Sequence, residues 1–394
     1  PGKEGEQGPY FQSQRQAIYD YYYEKLERLG RAYPCFCSEQ ELAIMRKLQL
    51  SQGKPPRYSG TCRHLSDEKI AKKRAGGEKS ALRFQVLSDQ TIQFFDLVKG
   101  EQAFSSDDIG DFVIRRSDGS AAFFFCNAID DALMKVTHVL RGEDHLTNTP
   151  RQMMLLESLD LPIPAYGHMS LIIGDDGMPL SKRHGSFSIK ALQELGYFPE
   201  ALQNYLARLG HVYTNPDFME LAALSKHFSI ERLGKSPARF DNVQLLYWQK
   251  QALLKCSDDQ LQIWLGEEVK TCIPSAFMPK FIELIRSNVS FPDEALAWAK
   301  TLFAELCLTV EAKVFLKKVT PLFWKTALRL TEKEIDFKRL IKKLQDELNI
   351  KGKALFVPLR IALTGRFDGP ELEKLYKLIG SEKIRKRLLY AKNL

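Results

Sequence analysis

The stretch from Gly174 to Ile189, GDDGMPLSKRHGSFSI, constrains this chain more than any other. It follows the apolar run Ser170-Leu171-Ile172-Ile173, and Asp175, Asp176 and Gly177 carry turn chemistry that ends a strand. Lys182, Arg183 and His184 then project from a segment in which Gly185 keeps the backbone mobile. A strand that stops at a tight turn and hands over to clustered cations suits a loop that acts on phosphate. A Lys ammonium beside an Arg fork neutralises charge that builds on phosphoryl oxygens as pyrophosphate leaves. On charge pattern alone a short basic loop is more often a solvated surface turn.

With 394 residues the chain is too long for one core and is expected to form roughly two to four units. Hydrophobic residues at 44% and charged residues at 27% argue against wholesale disorder. No apolar run approaches membrane-spanning length, and the start PGKEGEQGPY has no hydrophobic signal core, so a cytoplasmic protein without membrane contact is expected. The net charge is +8, and Thr331 to Leu394 holds 16 Lys and Arg against 9 Asp and Glu, so +7 sits in that tail. Such a tail faces a polyanion or is a solvated helical surface. Seven cysteines without a secretion signal argue against a disulfide framework. Cys126, Cys256, Cys272 and Cys307 read as small buried hydrophobes.

The remaining cysteines pose a metal question. Cys35 and Cys37 precede a helical stretch and Cys62 and His64 follow it, giving Cys-x-Cys, 24 intervening residues and Cys-x-His. Three sulfurs and an imidazole make a closed tetrahedral zinc set with no open position, so the ion's role would be structural. The alternative is four unrelated residues.

Gln16 to about Leu29 reads as a helix with Ile18, Tyr22 and Leu26 on one face and Gly30 as terminator. Ala81 to Val98 and Asp111 to Phe125 read as strands, the second with an Asp-Gly hairpin signal. Asp130-Asp131, taken as strand residues, point to opposite faces and read as structural. His138, His168 and His211 sit beside apolar residues and read as satisfied core or surface histidines. From Gly196 the pattern is helical, with Leu202, Tyr205, Leu206 and Leu209 at helix spacing, and Trp248, Trp264, Trp298 and Trp324 read as packing residues.

PLSKRHG (Pro179 to Gly185) resembles the KMSKS-type signature of class I aminoacyl-tRNA synthetases in its glutamyl form. Four stretches stand in that family's order and spacing: GPYFQSQR (Gly8 to Arg15), Asp130-Asp131, THVLRGEDHL (Thr137 to Leu146) with TPRQ (Thr149 to Gln152), and GYFPEALQNYLARLG (Gly196 to Gly210). The likeness weakens from Gln251 to Lys351 and returns in FVPLRIALTGRFDGPELEKLYKLIG (Phe356 to Gly380).

The resemblance implies a bacterial-type glutamyl-tRNA synthetase of multidomain α/β plus all-α architecture. Its parts would be a remnant of the first catalytic half (1–16), an acceptor-end-binding insertion with the zinc site (17–121) and the second half of an interrupted Rossmann-like parallel sheet with the KMSKS-type loop (122–190). A stem-contact region (191–255) and an all-α anticodon-binding region (256–394) would follow. In the family GPYFQSQR follows a segment carrying a HIGH-type motif, and none of the 394 residues match it.

The implied reaction joins L-glutamate to ATP with Mg2+ and passes the acyl group to tRNA(Glu), the protein acting as a monomer. Ser181, Lys182 and Arg183 would be catalytic, with Leu180 and Lys182 at ATP. Arg141, Asn127, Phe123 and His145 would line the amino-acid pocket, Arg141 clamping a carboxylate. Phe123 stands where many members have Tyr, His145 where they usually have Trp, and Pro179 where they have Lys. Rival readings are a member that also charges tRNA(Gln) and a tRNA-binding protein lacking catalysis.

Overall fold

In the computed structural model, which describes residues 5, 7–180, 188–332 and 336–394, Gln16–Arg28 forms helix α1 because Tyr19, Tyr23 and Leu26 recur at helical spacing on its buried face. Ile18 and Tyr22, expected on that face, lie at its half-buried edge. After β1 (Ala32–Cys35), α2 (Glu39–Ser51) starts at Ser38, whose side chain and that of Glu41 form a reciprocal cap. Next come α3 (Asp67–Ala75), β2 (Ala81–Phe84), β3 (Thr91–Asp96), β4 (Gly100–Ser105), the single turn α4 (Ser106–Ile109) and β5 (Phe112–Arg115). Strands β1, β2 and β5 make an antiparallel sheet, and β3 and β4 a hairpin.

The run Phe123–Leu133 is helix α5, not strand, because Phe125, Cys126, Ala128, Ile129 and Ala132 fall on one helical face and pack inward. Only the bridge between Arg115 and Ala121 closes the Asp118-Gly119 turn before that helix starts. Asp130 and Asp131 are therefore neighbours on a helix, about a quarter-turn apart. Strand β6 (His138–Gly142), helix α6 (Thr149–Leu159) and β7 (Ala165–Met169) form a crossover with parallel strands. Gly167 lets them approach, since an added Cβ would stand 2.6 Å from Leu140. A second parallel pair joins β8 (Ile172–Ile173) to β9 (Ala238–Arg239). The parallel sheet is thus two short pairs among the described residues, less than the Rossmann-like sheet expected.

Two compact units divide the chain. The first holds Pro1–Pro179, Gly210–Val212 and Phe228–Arg239. Its core runs from Tyr19 and Tyr23 through Leu82, Phe84 and Phe112 to Phe125, Ile129 and Leu155. The second holds Leu180–Leu209, Tyr213–His227 and Phe240–Leu394 and is helical throughout its described residues. In α7 (Pro199–Arg208) Ala201, Asn204 and Tyr205 are buried, whereas Leu206 faces solvent. Its main core, built by the helices from Asn242 to Lys392, includes Phe281, Leu284, Trp298, Trp324, Leu344 and Leu375. Of the other two tryptophans, Trp248 packs in a smaller core with Tyr205 and Leu245, and Trp264 stacks on Phe198 and donates to the Gly196 carbonyl at 2.6 Å. Cys126 is buried as expected, Cys256 and Cys272 are half-buried, and Cys307 is exposed, against expectation, in the loop after the helix ending at Phe303.

No helix among the described residues is long and apolar enough to cross a membrane.

Candidate active site

Arg141 leaves β6 at the heart of a buried polar network. Its Nε donates to His168 Nε2 at 3.1 Å, and its Nη2 donates to Thr149 Oγ1 at 2.8 Å and Gln152 Oε1 at 2.7 Å. Gln152 Nε2 in turn donates to Asn127 Oδ1 at 2.8 Å, tying α6 to α5. Two nitrogens of the fork are spent on the protein, while Nη1 is buried without a hydrogen-bond partner. The guanidinium lies 5.3 Å from the centre of the Tyr166 ring, and burial lowers its pKa. Glu143, two residues after Arg141, pairs with Lys99.

The network continues to Asp96 at the end of β3. Its Oδ2 lies 2.5 Å from His168 Nδ1, and both side chains are 0% exposed. Burial works against the Asp96 carboxylate, but hydrogen bonds from the backbone N–H groups of Lys99, His168 and Val98 and from the His168 ring hold its pKa below the usual range. Burial lowers the pKa of His168 despite the pull of Asp96. It pushes Asp131 up to about 6, opposed by Arg141, and Tyr166 up to about 12. Asp130, by contrast, is engaged by Arg15 Nε and the Tyr19 hydroxyl, both at 2.7 Å.

Phe123 and His145, the two departures in the expected amino-acid pocket, meet: their rings lie 5.2 Å apart, tilted by 39°. Phe123 is 46% exposed, and His145 Nδ1 is 3.2 Å from Asn148 Nδ2. The structure thus joins Asn127 to Arg141 through Gln152 and pairs Phe123 with His145. Sequence reasoning missed Asp96, Thr149 and Gln152 and treated His168 as an ordinary core histidine. For Asp96 and His168 the signal was a polar residue at an inward position of an apolar strand, as in FFDLV and YGHMS.

The metal reading is resolved in part. Cys35, Cys37 and Cys62 place their sulfurs within 4.8 Å of one another, and Cys37 Sγ is 3.7 Å from Cys62 Sγ. Zinc with S–Zn bonds of about 2.3 Å sets tetrahedral sulfurs about 3.8 Å apart, so the donor set fits. His64 is exposed and stands outside this group, while Tyr58 Oη lies 3.4 Å from both Cys35 and Cys37 Sγ.

The turn after β8 forms as its sequence demands: Gly174 N–H bonds the Met178 carbonyl, Met178 N–H bonds Asp176 Oδ1, and Gly177 adopts φ +75°. Leu180 follows, half-buried. Ser181, Lys182 and Arg183 lie outside the described residues.

Comparison with known proteins gives a consistent picture. Residues 2–247 match the family described as tRNA synthetases class I (E and Q), catalytic domain, and residues 259–392 match an anticodon binding domain. A glutamate–tRNA ligase 2 of Nitrosococcus oceani is 53% identical over 98% of this chain and 83% of its own length. One of Coxiella burnetii is 51% identical over 98% of this chain and 84% of its own. A crystal structure of a glutamate tRNA ligase from Elizabethkingia meningosepticum in complex with its amino acid aligns with a TM-score of 0.87 at 26% identity, covering 100% of this chain and 85% of that one.

Proposed function

The chain belongs to the class I tRNA synthetases for glutamate and glutamine, and from that membership we propose a glutamate–tRNA ligase acting in the cytoplasm. A carboxylate oxygen of L-glutamate attacks the α-phosphorus of ATP, the bond to the bridging oxygen breaks and pyrophosphate leaves. The terminal ribose hydroxyl of tRNA(Glu) then attacks the adenylate carbonyl and AMP departs. Mg2+ neutralises phosphate charge when bound; positioning and charge stabilisation supply the rest.

The observation that carries the amino-acid half of this reading is Arg141, a buried guanidinium whose Nη1 is unspent. A carboxylate satisfies that donor and compensates a charge that burial disfavours. Asn127, Phe123 and His145 complete the pocket wall. The loop of Leu180, Ser181, Lys182 and Arg183 would act on ATP, Lys182 meeting charge that develops as pyrophosphate leaves. The segments 17–121, 122–190, 191–255 and 256–394 would take the roles implied by the resemblance: acceptor-end insertion, catalytic half with the KMSKS-type loop, stem contact and anticodon binding. Tests start with R141K, which keeps the charge and loses the fork. ATP–pyrophosphate exchange with tRNA present should show the KM for glutamate rising at least about tenfold, with the KM for ATP near wild type. An unchanged glutamate KM would remove Arg141 from the pocket.

Cys35, Cys37 and Cys62 would hold a structural zinc ion that fixes β1 to the segment after α2. The fourth donor comes from His64 turning inward or from Tyr58, which is already in reach. Metal analysis of C62S should find loss of about one ion per chain, and comparison of H64A with Y58F identifies the fourth donor.

A further inference from the structure

We propose that Asp96 and His168 are positioning residues for the amino-acid clamp: Asp96 fixes the neutral Nδ1–H tautomer of His168, whose Nε2 accepts from Arg141 and holds the guanidinium so that Nη1 stays unspent. This rests on reading Arg141 as the glutamate clamp. Asp96 Oδ1 takes three backbone N–H groups, from Val98 at 2.9 Å, Lys99 at 2.8 Å and His168 at 3.1 Å. Oδ2 is left for His168 Nδ1, so the ring proton sits on Nδ1 and the lone pair on Nε2. Arginine only donates, and therefore only an acceptor can face its Nε. Nε2 fills that need at 3.1 Å, while Thr149 and Gln152 accept from Nη2. Asp96, His168, Thr149 and Gln152 are all 0% exposed, so water cannot substitute for a missing partner.

A pH dependence follows. Protonated His168 would set an N–H against the Arg141 N–H. The groups facing His168 are Asp96 from β3, Arg141 from β6, the Thr149 hydroxyl from α6 at 3.0 Å from Nε2, His145 from the turn after β6 and Tyr166 on its own strand. The neutral ring dominates at neutral pH, in keeping with its lowered pKa, and the clamp weakens only as pH falls through that lowered value.

The D96N variant tests the tautomer directly. Three backbone N–H groups pin the amide oxygen at the Oδ1 position, so the amide N–H2 faces Nδ1 and drives the ring proton to Nε2, donor against donor. The glutamate KM in tRNA-dependent ATP–pyrophosphate exchange should rise at least about tenfold, with the ATP KM and the melting midpoint near wild type. H168N keeps a donor to Asp96 but removes the acceptor facing Arg141, and should behave alike even if D96N does not fold. H168Q restores an acceptor at the Nε2 position. It should hold the glutamate KM within about threefold of wild type and abolish the wild-type rise in KM at acid pH. A folded H168N with an unchanged glutamate KM, or an H168Q as impaired as H168N, overturns the proposal. R141K separates the two failures: if it leaves the KM unchanged the clamp itself is wrong, and if it raises the KM while H168N does not, only the positioning role falls.

Discussion

The two units bury different things. The helical unit buries an apolar cluster around Phe281, Leu284, Trp298 and Leu344 and leaves most of its charges outside, in pairs such as Lys377 with Glu373 at 2.8 Å and Lys386 with Glu382 at 2.7 Å. The other unit takes charge inside: Asp96 against His168, Arg15 at 1% exposure against Asp130, and Arg141 among His168, Thr149 and Gln152. Apolar burial is non-directional and serves shape. Buried hydrogen bonds are directional and fix a donor within tenths of an ångström, which a substrate clamp requires. If Arg141 is the clamp proposed above, the first unit supplies the directional polar chemistry that a substrate needs, while the second buries apolar side chains and keeps most of its cations outside.

The largest effect should come from cutting the apolar core. F281A removes a fully buried ring and should destabilise the helical unit by about 3–5 kcal/mol, seen as an early transition in thermal melting. Below that transition the glutamate KM should stay near wild type, and a KM that moves with F281A would break the division between the units.

A smaller effect is expected at Asp131, whose carboxyl rises from an ordinary 3.8 to about 6 because it is buried. Its folded-state pKa lies above the unfolded one, so its stabilising contribution is full below about pH 4 and is lost as pH rises through 6. D131N should therefore gain stability relative to wild type at pH 7, on the order of 1 kcal/mol after allowance for residual exposure, and gain nothing near pH 4. Denaturant melts at the two pH values check the sign. An equal gain at both would make the effect one of packing.

The smallest stability effect is expected on the cationic face. Lys342 and Lys343 are exposed on the helix Phe337–Leu348, whose Leu340 and Leu344 sit in the core. K342Q with K343Q should leave the melting midpoint unchanged while lowering the salt slope of tRNA binding by roughly 0.7 to 0.9 for each phosphate left without its cation. An unaltered slope would make these two lysines a solvated surface only. Deleting the tail from Thr331 could not make this distinction, because Leu359, Leu375 and Leu388 belong to the same core.

What the sequence determined by itself was local. Turn chemistry in Gly174–Met178, the paired cysteines and the helical periodicity after Gly196 were legible because each depends on residues close along the chain. Arg141 and Asn127 were legible as motif members, yet Gln152, which connects them, was only the last residue of the TPRQ motif. The strand reading failed at Phe123–Leu133, where an aromatic start imitates a strand and only the spacing of Ile129 and Ala132 further along betrays a helix. Other features were decided by tertiary structure alone. His64 falls outside the sulfur cluster while Tyr58 falls inside it, and Phe123 meets His145 across 22 positions. Asp96 reaches His168 across 72. Nothing in either stretch marks the other as its partner, because a buried carboxylate and imidazole become a pair only when packing removes water from both and leaves each the other's remaining hydrogen-bond partner.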